Sequence, residues 1–209
     1  MYIPQHFAES DVACLHEVIR HNSFGVITSL VDGRLTATHV PFLIASDEGP
    51  NGTLHAHMAR ANPHWQGFDG KTEALVVFSG PHGYISPNWY KRRPAVPTWN
   101  YVAVHAYGTP VVDDDATRSK AHLGLLAQTM EAGRPAPWRI EDQPAAFIDG
   151  IVPGVVAFKL AITRVEGKFK LSQNREPADR LAVAAALRAE GEGALAAAME
   201  SPTDASEKN

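Results

Sequence analysis

The chain has 209 residues, 44% hydrophobic and 20% charged, and a formal net charge of -4 with its ten histidines counted as neutral. That length suits one domain, or one domain with an appendage, around a real core, and the composition excludes disorder as its general state. The acidic balance removes the simplest argument for a protein that grips nucleic-acid backbones, which calls for a cationic surplus.

Cys14 is the single cysteine, so no intrachain disulfide and no thiolate zinc cluster can form. The opening MYIPQHFAESD carries no basic segment followed by an apolar run, so it does not read as a secretory signal. No apolar stretch reaches the roughly 20 residues that span a bilayer. The expectation is a cytoplasmic protein with no membrane partner.

In chain order, residues 11–21 read as a helix: Ser10 or Asp11 caps it, and Val12, Leu15, Val18 and Ile19 recur on one face. Phe24 to Leu30 is β-rich, Asp32-Gly33 is a hairpin signal, and Leu35 to Ile44 is the return strand. Pro41 in that strand favours an edge or a bulge. Further strands are expected at 53–58, 74–79, 99–107 and 155–165. In the last, Phe158, Leu160 and Ile162 alternate with Lys159, Ala161 and Thr163, the period-two pattern of a sheet with one buried face. Glu166-Gly167 reads as a turn into Lys168–Leu171. Helical composition marks 115–132 and the alanine-rich 177–199. The aromatics Tyr84, Trp89 and Tyr90 in the stretch from Gly80 to Pro97 need something to pack on.

Four segments carry candidate chemistry. His55 and His57 alternate on a strand and share a face, but no HExxH spacing or carboxylate partner accompanies them, so no metal is expected. In Arg60-Ala61-Asn62-Pro63-His64-Trp65, asparagine caps a helix start with proline at its first position, beside a cation suited to an anion. Thr98-Trp99-Asn100-Tyr101 combines a hydroxyl, an amide and two large aromatics, a set that can hold a flat ring or simply pack a core. Lys168-Phe169-Lys170-Leu171-Ser172-Gln173-Asn174-Arg175 brings cations and hydrogen-bonding side chains together, as a phosphate monoester asks. An exposed edge strand defended by lysines has the same pattern. The basic run Lys91-Arg92-Arg93 reads as a solvated loop, and no P-loop, dinucleotide fingerprint or GxSxG motif is present.

Taken together, Met1-Tyr2-Ile3-Pro4, Thr38-His39-Val40-Pro41-Phe42, His57-Met58-Ala59-Arg60-Ala61-Asn62-Pro63, Phe78-Ser79-Gly80-Pro81-His82, Tyr84 to Tyr90, Val96 to Tyr101 and Lys170 to Arg175 carry a resemblance. Up to about residue 190 the chain resembles the PaiB-type family of FMN-binding split-barrel proteins, whose members are described as negative transcriptional regulators. The resemblance implies a mainly β fold, a Greek-key split β-barrel with flanking α-helices. It implies a flavin domain over 1–176; outside the resemblance, composition alone gives an alanine-rich helix over 177–200 packed on that domain and a disordered tail at 201–209. The resemblance further implies a homodimer with FMN at the subunit interface. The residues carried over as FMN contacts are Thr38, His39, His57, Arg60, Asn62, Thr98, Trp99, Asn100, Lys168, Lys170, Ser172, Gln173 and Asn174.

Two functions follow. In the first, a flavin-binding regulator, DNA is a partner by resemblance alone, since no helix-turn-helix is legible. In the second, a flavin-dependent oxidoreductase turns over a small molecule, and His39, His57 and His105 have the intrinsic pKa of acid–base groups. A haem pocket ranks behind both, because the C-terminal loop of haem-handling split barrels is not found here.

Overall fold

The computed structural model describes residues 1–200; the tail at 201–209, expected to be disordered, lies outside the described residues. Seven strands run β1 (Ala8–Glu9), β2 (Phe24–Val31), β3 (Arg34–Ala45), β4 (Thr53–Ala59), β5 (Ala74–Ile85), β6 (Thr98–Asp113) and β7 (Val155–Lys170). The helices are α1 (Val12–His21), α2 (Ala116–Glu131), α3 (Ala145–Ile151), α4 (Pro177–Ala189) and α5 (Gly193–Glu200). The strands join in the order β1-β7-β4-β3-β2-β5-β6, and β7 also pairs with β6, so the sheet closes on itself. The ladders of β1 with β7, β2 with β3, β3 with β4 and β4 with β7 are antiparallel. The fold is the mainly β split barrel with flanking helices. Among the described residues no helix is long and apolar enough to cross a membrane.

The chain passes through two compact units. One holds Met1–Asn22, Val77–His105 and the described residues from Val165 onward; the other holds Ser23–Val76 and Ala106–Arg164.

The second unit is built on the β2–β3 hairpin. Asp32 at φ 50° and Gly33 at φ 73° both lie in the left-handed region, the backbone that matches a two-residue turn to the strand twist. Pro41 sits where β3 changes partner: the β2 ladder ends at Phe24↔Pro41 and the β4 ladder begins at Phe42↔Ala56. A residue without an N–H is tolerated at that junction. Leu54, Ala56 and Met58 of β4 point into the core with Phe42, Phe158 and Leu160. The rings of Phe42 and Phe158 meet edge to face at 6.2 Å. Each such side chain contributes about 1.5–3 kcal/mol by leaving water. The opposite face of β4 is thereby left to His55 and His57. Asp115 caps α2 through the N–H of Arg118, as its Ser/Asp-type N-cap chemistry dictates.

In the other unit, Asp11 caps α1 by accepting from the N–H groups of Ala13 and Cys14, and Leu15 and Ile19 are buried as their spacing required. Two sequence expectations change here. No turn forms at Glu166-Gly167: β7 runs through to Lys170, and Gly167 pairs with Glu9 of β1. A Cβ at Gly167 would lie 2.3 Å from Leu15 Cδ2 and 2.8 Å from the Glu9 carbonyl oxygen, so the glycine serves close approach rather than chain reversal. The helical run over 177–199 is divided into α4 and α5, because Gly191 adopts φ 89° and ends α4 with a left-handed residue. Val183, Ala184 and Leu187 of α4 and Leu195, Ala196 and Met199 of α5 are buried.

Candidate functional site

The residues singled out from sequence fall into two clusters, one in each unit. In the first, the start of β6 meets the end of β7. Lys168 and Lys170, two residues apart on one strand, share a face. Lys170 Nζ donates to Thr98 Oγ1 at 2.6 Å and to the Trp99 carbonyl oxygen. Lys168 is buried; its Nζ donates to the Tyr2 carbonyl oxygen at 2.9 Å and lies 5.4 Å from the ring centres of both Tyr2 and Tyr101. Neither ammonium has a carboxylate partner among the described residues. Burial, then the charges of Lys168 and Arg175, lower the pKa of Lys170. A cation in that state gains from an incoming anion.

Trp99 is half exposed, with His82 stacked on it at 6.1 Å and Tyr84 edge-on at 6.4 Å. Asn100 is fully buried. Its Nδ2 donates to Ser172 Oγ at 2.9 Å and to Met199 Sδ, while Oδ1 has no hydrogen-bond partner among the described residues. Ser172 takes a left-handed backbone, φ 65°, as the chain leaves β7. Gln173 is occupied with that same exit: Oε1 accepts from the Leu171 N–H, and Nε2 donates to the Phe169 carbonyl. Asn174 is exposed.

The second cluster gathers residues of β2, β3 and the short 3-10 turn Pro63–Gly67 after β4. Asn62 caps that turn by accepting from the His64 N–H, and its Nδ2 donates to Thr38 Oγ1 at 3.2 Å. His64 is fully buried between Ser29 and Thr38. His39 is exposed, with its ring 6.0 Å from that of Phe24. Arg60 is not a free cation. It pairs with Asp114 and donates to the carbonyls of Pro153 at 2.7 Å and Val155 at 3.0 Å. The hydrogen bond to Asp114 raises the Arg60 pKa and holds the Asp114 carboxyl below its usual range. His55 Nε2 meets Glu48 at 2.9 Å, and His57 Nδ1 meets His122 Nε2, from α2, at 3.2 Å. Burial lowers the His57 pKa; burial with His57 and His55 nearby lowers that of His122 to about 4. The contact therefore joins two neutral imidazoles, one donating and one accepting.

His64, Ser29 and His122 escaped the sequence reading. Their partners lie 26 to 65 positions away, so no local pattern marks them. Two cavities open in the same unit. One of about 400 Å³ is lined by Leu43, Glu48, His55, His122, Leu125 and Phe158. The other, about 960 Å³, lies along α2 beside Trp138, Ile140 and Ile148 and contains none of the residues chosen from sequence. Among the described residues no group of three or more His, Cys, Asp or Glu is placed to hold a metal ion.

The sheet, closed by the pairing of β6 with β7 and flanked by helices, defines a protein of the split-barrel class. The solved structures of similar fold include the FAD and heme binding protein from Mycobacterium smegmatis, at TM-score 0.60 and 17% identity, covering 78% of this chain and 73% of that one. The flavocytochrome Anf3 from Azotobacter vinelandii matches at TM-score 0.59 and 13% identity, over 78% and 69% of the two chains. Residues 1–164 match the family described as "Putative FMN-binding domain". The "Protease synthase and sporulation protein PAI 2" of Bacillus subtilis is 33% identical over 191 residues, 91% of this chain and 90% of that protein. The chain belongs to this FMN-binding domain family.

FMN presents a dianionic phosphate, ribityl hydroxyls and a flat ring edged with carbonyl oxygens. The groups present fit it: ammonium groups with no carboxylate partner among the described residues for the phosphate, an accessible indole for the ring, and Asn100 Oδ1, a buried acceptor with no partner among the described residues.

Proposed function

We propose that this cytoplasmic protein works as a homodimer with FMN at the subunit interface, and that flavin occupancy or redox state regulates what the dimer binds. The flavin-binding domain is taken as residues 1–176, with the C-terminal helices as its appendage. The carrying observation is the Lys170 ammonium, held against Thr98 and the Trp99 carbonyl with no carboxylate among the described residues to neutralise it. Lys170 and Lys168 receive the phosphate, and Trp99 and Asn100 meet the flavin itself. Thr38, His39, His57 and Asn62 form a second contact set. Arg60, with its charge taken up by Asp114, holds the β4 exit in place.

The regulatory reading draws on the relative's name, a protease synthase and sporulation protein, and on the resemblance to negative transcriptional regulators. The net charge of -4 argues that any DNA contact is local and salt-sensitive. Visible spectra of the purified protein, with mass spectrometry of released cofactor, test the flavin. Sedimentation with and without FMN tests the dimer. Promoter DNA bound no tighter than random DNA at moderate salt removes direct repression.

A second reading, a flavin-dependent oxidoreductase, is favoured by the 400 Å³ cavity that His55 and His122 line beside Leu43 and Phe158. Flavin, when bound, supplies redox chemistry. The neutral His122 imidazole offers a proton acceptor to a small substrate in that cavity. Anaerobic incubation with NADH or NADPH decides it: a flavin band that never bleaches with any donor removes turnover.

A further inference from the structure

We infer that His64, held by Ser29, is a positioning residue that fixes the Thr38 hydroxyl as a hydrogen-bond donor toward an acceptor oxygen of the bound ligand. The ligand's identity as FMN rests on the reading above; the orientation of the hydroxyl does not.

The β2–β3 register sets Ile27 opposite Thr38 and Ser29 opposite Thr36, so Ser29 and Thr38 project from one face of the hairpin. The His64 ring fills the space beside them. Its Nε2 is 2.9 Å from Ser29 Oγ and its Nδ1 is 2.8 Å from Thr38 Oγ1. Burial lowers its pKa, so the ring carries one N–H and one lone pair. Which nitrogen holds the proton follows from Ser29. That residue is buried, and among the described residues its hydroxyl has no partner but His64. Were Nε2 the donor, the Ser29 hydrogen would be left in the interior without an acceptor, the costly arrangement. Ser29 therefore donates to Nε2, the proton resides on Nδ1, and Nδ1–H donates to Thr38.

Asn62 completes the assignment. Its Oδ1 accepts from the His64 backbone N–H at 3.0 Å, which orients the amide so that Nδ2 donates to Thr38 Oγ1 at 3.2 Å. Both lone pairs of the Thr38 hydroxyl are then filled, and its hydrogen alone is free. Thr38 is half-buried rather than enclosed. The hydroxyl offers a donor and no acceptor, which selects an acceptor oxygen and rejects a group, such as an N–H, that can only donate.

The test has two independent arms. Long-range proton–nitrogen spectra of labelled, flavin-free protein at neutral pH read the tautomer directly. The expected His64 pattern is protonated Nδ1 and bare Nε2; the reverse, or an imidazolium, overturns the relay. In the second arm, FMN and riboflavin are titrated against variants whose melting curves confirm folding. Thr38→Val and His64→Gln each weaken binding by roughly tenfold, the loss of about one hydrogen bond. His64→Asn, whose amide nitrogen stands where Nδ1 stood, keeps most of the affinity that His64→Gln loses; the opposite order overturns the assignment. A Thr38→Val loss confined to FMN puts the acceptor on the phosphate, and a loss with both ligands puts it on the flavin moiety. A loss with neither overturns the donor role. Wild-type protein that takes up no FMN removes the flavin reading, while the spectra still decide the relay.

Discussion

The two clusters handle positive charge in opposite ways. At the exit of β4, Arg60 is matched: Asp114 takes its charge, and the carbonyls of Pro153 and Val155 each accept a further hydrogen. At the end of β7, Lys168 and Lys170 are set against carbonyls, a hydroxyl and aromatic rings, with no carboxylate among the described residues. Two cations on one strand face repel, and the surrounding dipoles offset part of that cost. A matched cation holds structure together; an unmatched pair is what the proposed phosphate site calls for. The distinction is invisible in the sequence, where Arg60 and Lys170 look equally suited to phosphate.

The sharpest way to break this comparison is Lys170→Ala. Loss of a charge-assisted hydrogen bond of about 1.5–3 kcal/mol weakens FMN binding by roughly 10- to 100-fold. Fluorescence titration checks it, and riboflavin, without phosphate, should be far less affected. An equal loss for both ligands would take the phosphate away from β7. Next comes the packing beneath the lysines. Gly167→Ala drives a Cβ into Leu15 and the Glu9 carbonyl, and overpacking of this kind costs about 1–3 kcal/mol. A shifted urea midpoint reads the effect; an unshifted midpoint shows that β1 yields freely.

The neutral side of the comparison is tested by pH. His57 and His122 both have pKa values lowered in the folded chain, His122 to about 4 from 6.5. The unfolded chain therefore binds protons more readily, so their contribution to stability is whole above about pH 6.5 and is lost as pH falls toward about 4. Urea midpoints across that window should fall, and His122→Gln should flatten the slope. The smallest effect sharpens the contrast from the other side. Arg60→Ala should lower the melting temperature yet change FMN affinity by less than about threefold; a loss as large as that of Lys170→Ala would erase the distinction drawn between the two cations.

Much of the fold was legible because its signals are local. Alternation at Phe158, Leu160 and Ile162 marked β7, Asp32-Gly33 marked the hairpin, and Asp11 and Asn62 marked their caps. The reading failed at Gly167, where a glycine looks the same whether it turns the chain or lets another strand approach closely. It also missed the glycine that divides α4 from α5, since alanine on both sides outweighed it. The candidate site was legible as a set of residue types. The partners that decide each role were not: Asp114 for Arg60, Ser29 and Thr38 for His64, and His122 for His57.

Sequence alone determined the β-rich class, the central parts of β2 to β7, the caps at Asp11 and Asn62, and through its ordered motifs the FMN-binding family, because these depend on residue type and short spacing. Tertiary structure alone decided which cation is neutralised, which imidazole nitrogen carries a proton and which hydroxyl is left to donate. Those properties are set by groups brought within hydrogen-bond distance across tens of residues of chain, and there proximity in space, not order along the backbone, fixes charge and protonation.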